Sequence, residues 1–237
     1  MNNLEYIGKC LLINDEKRIL VIGDLHLGYE EALNESGVYI GRRMFKEYTD
    51  YLDRIFEKTG KVDEIVLLGD VKHVIGNVIR QEWNEVLGFL DYLAGKCGKI
   101  VVVRGQHDAL LEGILKKRGD VSLLDYYISG KYAFLHGDRE FEEINDAKIK
   151  VWVMGNGHPA VKISDGTKIE KYKCFLVGKY GKKEIIVCPS FLSANEGTDP
   201  REYEIGMAWE FDYLKFSVVV VGEDLNDLDF GKLEKLE

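Results

Sequence analysis

Five short apolar runs in this chain each break off into a loop that carries a histidine, and that recurrence constrains the fold more than any other feature. The runs are ILVIG, EIVLLG, KIVVVRG, KYAFL and KVWVMG. The loops after them hold Asp24-Leu25-His26, Asp70-Val71-Lys72-His73, Gln106-His107-Asp108, His136-Gly137-Asp138 and Asn156-Gly157-His158. They contain all five histidines of the 237-residue chain. Short apolar runs closed by glycine read as buried strands, and α/β sheets bind ligands where strands end and loops begin. Imidazoles and carboxylates together at such ends are a ligand set for divalent metals such as Zn, Mn and Fe. One structural histidine at such a place would be ordinary; five at the same kind of place are poorly explained that way.

The rest of the chain fits an α/β domain. CLLIN, a turn at Asp15-Glu16 and RILVIG predict a hairpin. Residues 42–58 place Met44, Tyr48, Tyr51, Leu52, Ile55 and Phe56 at helical spacing, and Gly60 should stop that helix. EIVLL predicts a strand, residues 80–94 a second amphipathic helix, KIVVV another strand, and 109–117 a short helix. After these, VSLL, YYIS, KYAFL, KIKVWVM, AVKIS, EKYKCFLVG, EIIVC and FSVVVV read as strands joined by short turns. Helix–strand alternation followed by strands predicts two packed sheets with helices outside. No linker, repeat or low-complexity tract interrupts the pattern, so a single domain over 1–237 is expected.

Composition removes several function classes. Hydrophobic residues at 46% and charged residues at 31% give a globular balance. A net charge of −9 argues against broad non-specific duplex binding, while leaving room for a local basic groove. No apolar stretch approaches the ~20 residues of a membrane helix. MNNLEYIGKC lacks a basic segment followed by an apolar core, so a cytoplasmic protein is expected. Cys10, Cys97, Cys174 and Cys188 show no CxxC pairing and are expected to be buried, reduced thiols. GxSxG, P-loop and GxGxxG patterns do not occur, so serine-hydrolase, NTPase and dinucleotide readings lack support.

The loops suggest phosphoryl chemistry. Asp24 and His26 are close enough in sequence to turn toward one ion as the strand unwinds. Asp70 has two oxygens and can bridge two metals; a pair about 3.5–4 Å apart can clamp the attacking and leaving oxygens of a phosphoryl group. His107 is followed by Asp108, and a carboxylate beside an imidazole can orient it. Such a histidine can protonate a leaving alkoxide or stabilise charge on phosphorus.

The order DxH, GD, GxHD, HGD, GxxHP resembles the calcineurin-like metallophosphoesterases over roughly residues 20–200. The segments GDLHLGYE, GDVKH and CPSFLSANEGTD look like archaeal phosphoesterases related to the Mre11/SbcD nucleases and like bacterial ligase-associated phosphoesterases. The resemblance implies a four-layer α/β/β/α sandwich of two mixed sheets flanked by helices, with one or two divalent ions (Mn, Zn, Fe or Ni) in the cleft. It implies one ion on Asp24, His26, Asp70 and His158, and a second on Asp70, Gln106, His136 and Asn156. His107 would be the catalytic histidine, with Asp108 behind it. The activity implied is phosphoesterase, with a metal-bound hydroxide attacking phosphorus in line and a phosphodiester, nucleotide or nucleic acid, as the favoured substrate.

Two departures fall on the second ion. Gln106 stands where the family has asparagine, and Asn156 where it has the first histidine of GHxH. An alternative alignment takes Gly157-His158-Pro159-Ala160 as that motif; the first is preferred because KVWVM then runs directly into Gly155. Amide oxygens bind borderline metals less well than imidazole, which feeds a second hypothesis: a one-metal protein that binds a phosphorylated ligand or partner without efficient turnover. Lys72 and His73 are candidates to line the phosphate pocket, with a loop cap the alternative for His73. Asp138 and Arg139 read equally as solvated, Arg42 and Arg43 as a helix start, and Ser190, Ser193 and Asn195 as a polar loop bordering the cleft.

Overall fold

The apolar runs alternate between two cores, which is why they read as unbroken. In the computed structural model, which describes residues 3–77, 79–115, 118–164 and 166–236, fourteen strands form two sheets. The first holds β1 (Leu4–Ile7), β2 (Cys10–Asn14), β3 (Arg18–Ile22), β4 (Val62–Leu67), β5 (Cys97–Val103) and β6 (Val121–Leu124), in that order. Its first three strands pair antiparallel, and β3 to β6 run parallel. The second holds β7 (Tyr126–Ser129), β8 (Tyr132–Leu135), β9 (Val151–Met154), β10 (Ala160–Ser164), β11 (Ile169–Tyr180), β12 (Lys183–Val187), β13 (Ser217–Val220) and β14 (Leu228–Lys232). Its order is β14-β13-β11-β12-β9-β8-β7, with β10 on β11; β8, β9 and β12 are parallel and the other pairings antiparallel.

Side chains alternate across each strand. Leu11, Ile13, Ile19, Val21, Val66, Val101 and Val103 of the first sheet meet Phe134, Val151, Val153, Phe175 and Ile186 of the second, forming the core between the sheets. Their neighbours Leu12, Leu20, Ile22, Ile65, Leu67, Ile100 and Val102 face the helices. Those helices are α1 (Tyr29–Glu35), α2 (Met44–Thr59), α3 (Arg80–Ala94) and α4 (Leu111–Leu115). α2 buries Met44, Tyr48, Leu52, Ile55 and Phe56, the stripe expected from spacing. Gly60, at φ 66°, ends it by donating its N–H to the Phe56 carbonyl at 2.8 Å. α4 begins two residues later than expected, and Lys116 and Lys117 of the expected segment lie outside the described residues.

The two mixed sheets and flanking helices of the expected sandwich are present. The far face of the second sheet, with Leu135, Trp152, Met154, Leu176 and Val187, packs under Ile144, Trp209, Phe216 and Leu233. There the covering layer is coil and single 3-10 turns rather than α-helix among the described residues. Burying one such side chain is worth about 1.5–3 kcal/mol, so these aromatic residues cover the sheet without needing helical periodicity.

This arrangement brings the loop ends together. β3, β4 and β5 are parallel neighbours, so their carboxyl ends lie side by side. Beyond the strands the first two loops stay paired: Leu25 and His26 donate to the Asp70 carbonyl at 3.2 and 2.8 Å, Leu27 to that of Val71 at 2.9 Å, and His73 to that of Leu27 at 2.9 Å. β8 and β9 deliver His136 and Asn156 from the facing sheet.

Candidate metal centre

The strand ends turn sharply. Five non-glycine residues among those described have positive φ, and four of them are His26 (50°), Asp70 (47°), Asn156 (59°) and His158 (43°). Non-glycine residues held in this left-handed region cost about 1–3 kcal/mol each and collect at functional sites. The glycines beside them are required by contact. A Cβ on Gly69 would lie 2.6 Å from His136 Nδ1, and one on Gly105 would lie 2.3 Å from Asp70 Oδ1.

Four imidazoles turn one nitrogen inward. Asp70 Oδ2 lies 3.5 Å from His136 Nε2, 3.8 Å from His107 Nε2 and 3.9 Å from His26 Nε2. His158 Nε2 lies 3.4 Å from Asp24 Oδ1. The other nitrogens are anchored outside. His136 Nδ1 donates to the Leu68 carbonyl at 2.8 Å, and His107 Nδ1 to the His73 carbonyl. His26 Nδ1 faces His73 Nδ1 at 3.4 Å, and His158 Nδ1 faces Asn195 Nδ2 at 3.1 Å. A proton held on Nδ1 leaves Nε2 with a free lone pair.

The donor set fits a divalent cation. His136 Nε2 is buried and has no hydrogen-bond partner. Donor atoms of Asp24, His26 and His158 lie within 4.8 Å of one another, as do those of Asp24, Asp70 and His136, and those of His26, His73 and His107. Burial pushes the Asp24 carboxyl up, but His158, His136 and His26 outweigh it and hold it below the ordinary range. Burial raises Asp70. It lowers His26 to about 3 and His73 to about 4, assisted by neighbouring cationic groups. Burial also pulls His136 down, but Asp24 and Asp70 more than reverse it. Carboxylates and neutral imidazoles are the forms that bind metal; the shifts of Asp24, His26 and His73 favour those forms, and those of Asp70 and His136 run against them.

The structure brings Asp24, His26 and His158 together and sets Asp70 beside His26; Asp70 and His136 form the adjoining group. Gln106 is exposed. Asn156 donates its side-chain Nδ2 to the Gly206 carbonyl at 2.7 Å and its backbone N–H to the Asp24 carboxylate at 3.0 Å. His73 lies against His26, His107 and Tyr29, with ring centroids 5.3, 5.6 and 4.9 Å away.

Two of the expected site residues make other contacts. Asp108 is not behind His107: its buried carboxylate accepts the N–H groups of Val71, Lys72 and Gly105, pinning the second loop to the third, and burial raises it to about 6. Lys72, expected to line a phosphate pocket, turns into the protein. It is fully buried, donates to the carbonyls of Val74 and Asn77, and lies 3.7 Å from Glu82 Oε2. A lysine in that position ties the loop to itself and to α3. The loop after β12, read from the sequence as a polar loop bordering the cleft, meets the site: Ser190 Oγ and the Phe191 N–H both donate to the Asp24 carbonyl, and Asn195 meets His158. Its only signal in the sequence is the polar stretch CPSFLSANEGTD.

The family model described as calcineurin-like phosphoesterase matches residues 17–222. No curated protein matches the chain at a significant level. Among solved structures, the nuclease MPE of Pseudomonas putida superposes with a TM-score of 0.60 at 16% identity, over 96% of this chain and 94% of that one. Yfce, a phosphoesterase from E. coli, gives 0.45 at 15% identity over 90% and 98%. Wild-type Vps29 of Entamoeba histolytica, solved with zinc, gives 0.41 at 14% identity over 90% and 99%. The first of these likenesses supports the fold and nothing finer.

Proposed function

The chain belongs to the calcineurin-like phosphoesterase family, and from that premise we propose that it is a divalent-metal-dependent phosphodiesterase. The observation that carries the reading is the buried, unpartnered His136 Nε2 facing Asp70 Oδ2 at 3.5 Å, within a group that also holds Asp24. One ion would be held by Asp24, His26, Asp70 and His158. A second, weaker one would be held by Asp70, His136 and the amides of Gln106 and Asn156. Manganese, zinc, iron and nickel suit this mixed donor set. Bound ions offset charge on phosphoryl oxygens and make water a nucleophile near neutral pH.

The chain's own groups do the rest. The His73 carbonyl holds His107 Nδ1, which fixes the ring with Nε2 toward the cluster. From there, a proton on Nε2 can pass to a leaving-group oxygen. His73 borders the same space and is the remaining candidate to touch the phosphoryl group. A phosphodiester is favoured by the motif details shared with Mre11/SbcD-related archaeal phosphoesterases, a subfamily we infer for this chain. With a net charge of −9, a small cyclic or linear nucleotide suits the surface at least as well as duplex DNA. No helix among the described residues is long and apolar enough to cross a membrane; we read 1–237 as one cytoplasmic metallophosphoesterase domain. The non-catalytic alternative is not favoured, because the carboxylates and inward-facing imidazoles converge.

Elemental analysis of the purified protein, paired with hydrolysis of bis-p-nitrophenyl phosphate with and without manganese, tests the reading. Metal-dependent release of nitrophenol is expected. A metal-loaded protein inert toward both diester and monoester chromogens would refute it.

A further inference from the structure

We propose that Asn195 sets the ring tautomer of His158, and that an ion is taken up on His158 Nε2 only as the Asn195 carboxamide reverses. The proposal rests on reading His158 as a ligand. Its basis is a contrast among the anchored imidazoles. His136 and His107 present Nδ1 to backbone carbonyls, which can only accept, so Nδ1 carries a hydrogen and the neutral ring has its lone pair on Nε2. His158 presents Nδ1 to the Nδ2 of a carboxamide, which donates.

The orientation of that carboxamide is fixed from its other side. Asn195 Oδ1 accepts the Gly197 N–H at 2.8 Å, which leaves Nδ2 for the imidazole at 3.1 Å. His158 Nδ1 therefore accepts. The ring hydrogen sits on Nε2, aimed at Asp24 Oδ1 at 3.4 Å, where a ligand lone pair is needed. Ion uptake requires Nε2 to lose its hydrogen and Nδ1 to gain one, so the ring stays neutral. The carboxamide then turns its oxygen toward Nδ1–H, and its NH2 group faces the Gly197 N–H.

Gly197 has no easy retreat. Its φ is +90°, and a Cβ there would meet the His158 carbonyl at 2.6 Å and the Ala160 Cβ at 2.8 Å. The next residue is stitched to the same strand: Thr198 donates to the His158 carbonyl at 2.8 Å, and Ala160 donates to that of Thr198 at 2.9 Å. Loading the ion thus sets two donors against each other in a loop held on both sides, which weakens binding. Asn195 is a positioning residue acting through His158.

Asn195→Asp offers one oxygen to the Gly197 N–H and the other to Nδ1–H, removing the conflict. In the metal-free wild type, ring-nitrogen chemical shifts should place the His158 hydrogen on Nε2; in the Asn195→Asp variant they should place it on Nδ1. Calorimetric titration should show manganese bound about tenfold more tightly by the variant, at the low end of the 10–100-fold effects of residues behind metal ligands. A hydrogen on Nδ1 in the wild type overturns the proposal, whether or not the variant folds. So does a folded variant with wild-type affinity. If His158→Ala leaves manganese affinity unchanged, the reading of His158 as a ligand falls, and the proposal with it. If His158→Ala loses the ion while Asn195→Asp changes nothing, only the proposal falls.

Discussion

Lys72→Met distinguishes a lysine that holds the site from one that binds substrate. Lys72 and Glu82 are both fully buried, with Nζ 3.7 Å from Oε2. Glu82 Oε1 accepts the N–H groups of His73 at 2.8 Å and Val74 at 2.7 Å, and Oε2 has no hydrogen-bond donor. Removing the ammonium leaves a buried carboxylate without its counter-charge and frees the carbonyls of Val74 and Asn77. Breaking one side of such a pair costs about 3–5 kcal/mol. For a chain of this length that corresponds to a fall in Tm of roughly 10 °C. Combining Lys72→Met with Glu82→Gln removes the stranded charge while keeping an oxygen for His73 and Val74, so about half of the loss or more should return.

Urea melts of the single and double variants give the stabilities, and chromogenic diester hydrolysis gives kcat and KM. The folded fraction of Lys72→Met should keep KM within about threefold of the wild type, because no ground-state contact to substrate is removed. A variant of wild-type stability whose KM rises tenfold or more would refute this reasoning and return Lys72 to the phosphate pocket.

Other substitutions test the site and the frame. His107→Ala should lower kcat by about a hundred- to ten-thousand-fold while manganese affinity is kept; loss of an ion in calorimetry would make His107 a ligand instead. The wild type should titrate with ions of unequal affinity, and Gln106→Asn with Asn156→His should tighten the weaker one; matched tight affinities in the wild type would show the amides to be harmless. Asp227 has a buried Oδ2 without a partner, and burial pushes its carboxyl from 3.8 to about 6. The folded state therefore holds that proton more tightly, so the stability it contributes is full below pH about 4 and is lost as pH rises through about 6. Asp227→Asn should flatten that window and raise stability at neutral pH; a wild-type melt with no such slope would refute it.

What the sequence showed and hid follows from burial. β2 to β5 are apolar on both faces because one face meets the helices and the other the second sheet, so they stand out as runs. α2 and α3 each bury one stripe, so helical spacing reveals them. α1 buries no residue and is tied down by Glu30 accepting the N–H groups of Arg43 and Met44 and by the Glu31–Arg42 pair, so it leaves no apolar period to read. β14 is exposed along its whole length and escapes notice for the same reason. Adjacency in sequence does not put Asp108 against the His107 ring: in a 3-10 turn, successive side chains point about 120° apart, so the two face different surroundings. Lys72 beside His73 looks like a phosphate ligand until α3 is seen to bring Glu82 over it. Asn195 reaches His158 across 37 positions, a contact no local pattern encodes.

The strain at the loop ends and the hydrogen bonds around them are two parts of one device. Left-handed backbone at His26, Asp70, Asn156 and His158 costs about 1–3 kcal/mol apiece. The compensation is local. Asp108 takes three backbone N–H groups, the Asp70 carbonyl takes two, and the Asp24 carboxylate takes that of Asn156. Hydrogen bonds to charged groups contribute about 1.5–3 kcal/mol each, enough to hold the four turns in place. Asp108 thus holds the second and third loops together, and with them the donor atoms they carry. In a loop pinned on both sides, the Asn195 side chain is the one anchor of these imidazoles that can turn over, where His136 and His107 rest on backbone carbonyls.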